Sequence, residues 1–136
     1  NNIFKKFILM FQKEVAERII ADVNSKNYSR LSILVQVHAN VKKILDIDPT
    51  KFNPQPKVDS TVIQLIPKKI INFDYEKLDQ ILKVCFSQRR KMLKNNLKNI
   101  NLPIRKFCEE NKINLNLRPQ DIEPENYLKM SELSSD

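Results

Sequence analysis

Two stretches of this sequence carry residue types that could do chemistry. The first is Phe52-Asn53-Pro54-Gln55-Pro56-Lys57-Val58-Asp59-Ser60. Pro54 and Pro56 fix φ and lack backbone donors, and each drives the residue before it towards extended geometry. The stretch is therefore a stiff loop with one large aromatic, Phe52, at its entry. A ring held on a rigid loop can stack on a nucleobase, because every base offers a π-face. The same ring could instead plug the core beneath the loop, and composition alone favours that second reading. Pro54, Pro56, Lys57, Asp59 and Ser60 shape the loop. For Asp59 and Ser60, local hydrogen bonds that tie the loop to the following strand suit the residue types better than catalysis does.

The second stretch is Arg89-Arg90-Lys91 with Lys94 and Lys98. On a helix, Arg90, Lys91, Lys94 and Lys98 would form a basic stripe opposite Leu93 and Leu97. Such a stripe is commonly just a solvated face. Here nothing acidic lies between Gln88 and Asn101 to neutralise it, which favours contact with RNA phosphates. Those contacts position a nucleic acid without reading its sequence. No metal chemistry is indicated: His38 is the only histidine, and no Cys, Asp or Glu lies near it at ligand spacing. Cys85 and Cys108 fall at apolar helix positions and read as buried free thiols, consistent with a reducing compartment.

The elements that must hold these residues are constrained by composition. The chain has 136 residues, room for one ordinary domain or two small ones, and 41% hydrophobic content is enough for a core. Twenty-four Lys and Arg against 16 Asp and Glu give a net charge of +8, which favours a polyanionic partner, RNA or an anionic membrane. The longest apolar run, Phe7 to Phe11, is far short of the ~20 residues a membrane span needs. There is no secretory signal pattern. The first residue is Asn1 and not methionine, so the chain is expected to belong to a longer polypeptide. It contains no glycine, so Asn24, Asn27, Asn53 and Asn114 are the candidates for positive φ.

In chain order, 4–11 reads as a strand and 12–21 as a helix with Val15, Ile19 and Ile20 inward. Residues 31–47 fit both strand alternation and helical spacing. Residues 58–67 form a β-branched strand, apolar on much of both faces, as a central strand would be. Residues 68–72 link to a wholly helical pattern. Asp74 caps a helix running to Phe86, and Ser87 caps another over 89–99 with Leu93, Leu97 and Ile100 inward. Asn101 and Pro103 open a third helix, Pro124 opens the last, and Ser134 to Asp136 frays. The chain divides near residue 70. Three strands with one helical connection cannot close an α/β sandwich alone.

Phe52-x-Pro-x-Pro-Lys-Val-Asp-Ser resembles the late motif of the ribosomal RNA adenine N6,N6-dimethyltransferases. Leu9-Met10-Phe11-Gln12-Lys13-Glu14-Val15-Ala16-Glu17-Arg18-Ile19 and Phe86-Ser87-Gln88-Arg89-Arg90-Lys91 resemble further stretches of that family, in its order and at compatible spacing. The first two are specific motifs; the third alone is weak. The resemblance spans essentially the whole chain and is closer to the small-subunit enzymes than to their macrolide-resistance relatives.

The resemblance implies an α/β fold: the last three strands of a Rossmann-like class I methyltransferase sheet, then a small all-α domain. Residues 1–70 would be the end of the methyltransferase core, with a target-base loop at 48–60, and 71–136 a helical RNA-binding domain. It also implies a short helix over 31–39 followed by a strand over 40–47. Phe52 would pack against the target adenine, and Arg89, Arg90, Lys91, Lys94 and Lys98 would bind the RNA. The implied reaction, in ribosome biogenesis, moves methyl groups from S-adenosyl-L-methionine to two adjacent adenines of small-subunit ribosomal RNA. The cofactor would be bound by a preceding N-terminal part. The implied protein is monomeric and cytoplasmic, acts on the RNA or a pre-30S-type particle, and uses neither metal nor membrane. This chain has no glycine-rich loop and no Asn-Leu-Pro-Tyr or Asp-Pro-Pro-Tyr stretch, so it is expected to be inactive alone. Two rivals stay open: a non-catalytic RNA-binding or ribosome-assembly module, and a large-subunit RNA adenine methylase of the resistance type.

Overall fold

The computed structural model describes residues 5–69, 72–98 and 103–133. Expectations for Phe4, for part of the 68–72 linker, for Asn99 to Asn101 and for the last three residues lie outside them. Three strands, β1 (Phe7–Gln12), β2 (Ala39–Ile47) and β3 (Ser60–Pro67), form one sheet in the order β1-β3-β2. β3 is antiparallel to both neighbours, so β1 and β2 run in the same direction. The β-branched run is thus the middle strand, as its apolar residues on both faces required.

β1 passes directly into α1 (Lys13–Ile19), and a polar stretch leads to α2 (Arg30–Gln36). Where two periodicities compete after Leu31, the helix prevails as far as Gln36 and the strand starts at Ala39. Helical spacing buries Ile33 and half-buries Leu34, Val35 and Val37. Polar side chains of α2 also serve the end of α1. Ser32 Oγ donates to the Arg18 carbonyl, and Gln36 Nε2 donates to the carbonyls of Ile19 and Ala21, both at 2.9 Å. Carbonyls at the close of a helix have no partner within it, so these bonds supply one.

One face of the sheet packs on α1 and α2 through Ala16, Ile19 and Ile63, with Phe11, Val41 and Leu65 around them. The other face carries Ile8, Met10 and Leu45, which are 54%, 53% and 47% exposed. Among the described residues, a single helical layer leaves that second face bare.

Beyond residue 71 the described elements are helical: α3 (Tyr75–Cys85), α4 (Leu93–Asn96), α5 (Ile104–Glu110) and α6 (Pro124–Ser131). Asp74 caps α3 as its type and position required, its Oδ1 accepting from the amides of Glu76 at 3.0 Å and Lys77 at 3.2 Å. Leu78, Ile81, Leu82 and Cys85 are buried against Leu93, Phe107, Tyr127 and Met130. Each fully buried side chain of this size contributes about 1.5–3 kcal/mol. This core also takes in Ala21, Tyr28 and Ile33 from before residue 70. The Tyr28 hydroxyl donates to the Ile122 carbonyl at 2.7 Å, and that of Tyr127 to the Pro119 carbonyl at 2.6 Å. Burial, the larger cause, and nearby negative charge push both phenols well above the usual tyrosine range, so both stay hydroxyl donors.

The helix expected over 89–99 is not formed. Ser87 caps nothing: its Oγ donates back to the Val84 carbonyl at 2.7 Å. A turn follows α3, and α4 is a single turn whose Leu93 and Lys94 amides donate to the carbonyls of Leu117 at 2.7 Å and Leu115 at 3.0 Å. Without glycine, two of the described residues take positive φ: Asn24 at 70° and Lys112 at 56°. Asn24 was one of the four asparagines expected there; Lys112 was not expected. Lys112 follows the end of α5, where its amide donates to Glu109 O at 3.4 Å and that of Ile113 to Cys108 O at 2.8 Å. This is the left-handed helix stop that glycine usually occupies.

Candidate functional site

β1 and β2 end at one edge of the sheet, where Gln12, Ser60 and Ile47 lie side by side in register. In open α/β sheets, ligands gather at the carboxyl ends of strands. Residues 48–59 cross this edge between β2 and β3. At the near end, Asp48 Oδ1 accepts the Thr50 amide at 2.9 Å and starts the tight turn Pro49–Lys51. The Phe52 amide closes that turn on the Pro49 carbonyl at 3.2 Å. At the far end the Lys13 amide, the first of α1, donates to the Asp59 carbonyl at 2.9 Å. Asp59 therefore ties the loop through its backbone, to α1, while its side chain is exposed.

Ser60 is buried at the first position of β3. Next to it, buried Thr61 donates from Oγ1 to Asp46 Oδ1 at 2.6 Å, and Lys43 Nζ meets Asp46 Oδ2 at 3.1 Å. A register shift between Lys43 and Leu45 brings Asp46 opposite Thr61. The Thr61 hydroxyl first, then Lys43, holds the Asp46 carboxyl below the usual aspartate range. On the loop, Phe52 and Pro56 are half-buried, and Pro54 and Lys57 are exposed. Phe52 belongs to neither hydrophobic core.

Arg89, Arg90 and Lys91 lie on the turn after α3, so the basic residues do not form one helical stripe. The Lys91 amide closes the turn on Gln88 O at 3.0 Å. Arg89 Nη2 donates to the carbonyls of Lys26 at 2.9 Å and Ser25 at 3.3 Å. Asn96 fixes the turn from below, its Nδ2 donating to Cys85 O at 2.8 Å and Gln88 O at 3.0 Å. Lys94 stands on α4 and Lys98 follows it. Arg90, Lys91, Lys94 and Lys98 are exposed, and none has an ion-pair partner among the described residues. Sequence reasoning missed Asp46, Thr61, Asn96 and the inward role of Arg89. Each acts across a strand register or chain reversal that no local spacing records.

The His38 ring lies 5.2 Å from that of Phe73, and no group of three or more His, Cys, Asp or Glu among the described residues could hold a metal ion. Cys85 and Cys108 are free and buried as expected, and burial pushes the Cys85 thiol up to about 12. An apolar cavity of about 820 Å³ opens at the opposite end of the sheet, by Phe7, Ala39 and Pro67. It lies far along the strands from Phe52. No helix among the described residues is long and apolar enough to cross a membrane.

The model of one protein family, described as ribosomal RNA adenine dimethylase, matches residues 1–136. The chain is 48% identical over 131 residues to ribosomal RNA small subunit methyltransferase A of Pelagibacter ubique, covering 93% of this chain and 49% of that protein. It is 47% identical over 130 residues to the protein of the same name from Ehrlichia canis, covering 94% and 50%. A crystal structure of a dimethyladenosine transferase from Plasmodium falciparum superposes with a TM-score of 0.76 at 32% identity, covering 96% of this chain and 57% of that one. The 23S rRNA methyltransferase ErmE shares the fold, with a TM-score of 0.63 at 19% identity over 94% and 54%. The chain thus spans about half the length of the curated relatives it matches.

Proposed function

This chain belongs to the ribosomal RNA adenine dimethylase family, and on that premise we propose that it is the part of an rRNA adenine N6,N6-dimethyltransferase that receives the target base and grips the RNA. The substrate we propose is a pair of adjacent adenines in small-subunit ribosomal RNA, free or in a pre-30S-type particle, modified in the cytoplasm during ribosome biogenesis by a monomeric enzyme. The observation that carries this reading is Phe52. Its loop is bonded at both ends, it stands at the carboxyl edge of β1 and β2, and its ring is outside both cores. A base must leave its stack to be modified, and a pre-set aromatic lowers the cost of holding it. The exposed Arg90, Lys91, Lys94 and Lys98 would supply phosphate contacts.

S-adenosyl-L-methionine is the methyl donor we propose, held by a part of the full-length protein outside this chain. The residues present do not fit it: there is no glycine for a tight cofactor loop, and no acidic residue follows one to hold a ribose. The bare sheet face and the apolar β1 are what a further layer of the protein would cover. In this reading residues 1–70 complete the methyltransferase sheet and 71–136 provide the helical RNA-binding unit, inactive without the rest.

The test is transfer of labelled methyl groups from S-adenosyl-L-methionine by the full-length protein to isolated small- and large-subunit RNA, with the products digested to nucleosides. N6,N6-dimethyladenosine at two neighbouring sites in small-subunit RNA is the expected result. Labelling of large-subunit RNA alone, or of neither, overturns the proposal.

A further inference from the structure

We propose that Lys26 is a phosphate contact on the same surface as Arg90 and Lys91, and that Arg89 is the bracket joining them, a positioning residue and not a phosphate ligand. This rests on the RNA-binding reading above. Lys26 and Arg89 are 63 residues apart in sequence, yet Arg89 Nη2 bonds the main-chain carbonyl of Lys26 itself. Each segment has an anchor of its own, and Arg89 sets where one lies against the other. The loop before α2 is held by the Asn24 amide on Gln120 O at 2.8 Å and by the buried Tyr28 hydroxyl on Ile122 O. The turn after α3 is held by Asn96. Arg89 is half-buried between them with its guanidinium turned to carbonyls. Lys26, Arg90 and Lys91 are exposed, and no carboxylate pairs with them among the described residues. Exposed cations on two segments that Arg89 joins, none of them ion-paired among the described residues, suit a polyanion of defined shape, and a folded RNA is the partner we commit to.

The experiment measures binding of a labelled RNA hairpin to the full-length protein across a salt series. Lys26→Ala should lower the slope of log affinity against log salt by roughly 0.7–0.9, the value of one phosphate contact. Arg89→Ala should lower it by more than one contact, because both partners lose their placement. Adding Lys26→Ala to Arg89→Ala should then cost less than it costs alone. Arg89→Lys keeps the charge but not the planar fork, and should still lose slope. Full slope in Arg89→Lys, or strict additivity of the two alanine changes, would make Arg89 a direct ligand. An unchanged slope in Lys26→Ala, a substitution at an exposed side chain, overturns the shared surface. So does a Lys26→Ala defect seen only with phosphatidylserine vesicles. Wild-type protein with no salt-dependent RNA binding would sink the functional reading itself, and this inference with it.

Discussion

Phe52→Ala separates base stacking from core filling by magnitude. Truncating a fully buried phenylalanine costs about 3–5 kcal/mol of stability. Phe52 is half-buried and outside both cores, and its turn is held by backbone atoms and Asp48, which the substitution leaves in place. The expected loss of stability is therefore about 1 kcal/mol or less, in line with substitutions away from packed sites. Base–aromatic stacking is worth ~1–3 kcal/mol. At about 1.36 kcal/mol per tenfold in rate, that is a loss of roughly 5- to 150-fold in kcat/KM. The assay is methyl transfer to a small-subunit RNA hairpin by the full-length protein, with cofactor titration and thermal unfolding in parallel. Turnover should fall while cofactor affinity and melting temperature hardly move, and Phe52→Tyr should restore most of the rate. Normal turnover in the alanine variant refutes the stacking role. A loss of several kcal/mol in stability would return Phe52 to the core.

Two further outcomes concern the scaffold. Lys112→Gly should stabilise the protein by about 1 kcal/mol, because glycine takes the φ of 56° without the Cβ clash that lysine suffers; urea melts would measure it, and a destabilised variant would show that the lysine side chain contributes more than its backbone costs. Asp46 is held low by Thr61 and Lys43, with Lys13 nearby, so its bonds stabilise the fold above the ordinary aspartate range and are lost as pH falls through the folded value. Asp46→Asn should accordingly be less stable than wild type near neutrality and converge with it in acid. Urea melts from about pH 7 to about pH 2 test this, and a gap constant with pH refutes it.

The sequence alone was enough to locate what depends on neighbours in the chain. Alternating β-branched residues mark β3 as a middle strand because a strand exposes its two faces every second residue. Asp74 is legible as a cap because its partners are the next two or three amides. The paired prolines mark a stiff loop after Phe52 for the same reason: φ is fixed within the residue. The tertiary structure decided the rest. Spacing alone cannot resolve residues 31–47, and packing of Ile33 against the helical core chose helix before strand. Spacing also favoured a helix over 89–99, but the amides of Leu93 and Lys94 found carbonyls in 115–117 and Asn96 reached back to Gln88. Thr61 meets Asp46 only because a register shift in β2 aligns them. Arg89 turns inward only because the loop at 25–26 lies beside it. In the last three cases a hydrogen-bonding group was satisfied by a partner that folding brought near, and over 89–99 that pairing outweighed local helical spacing.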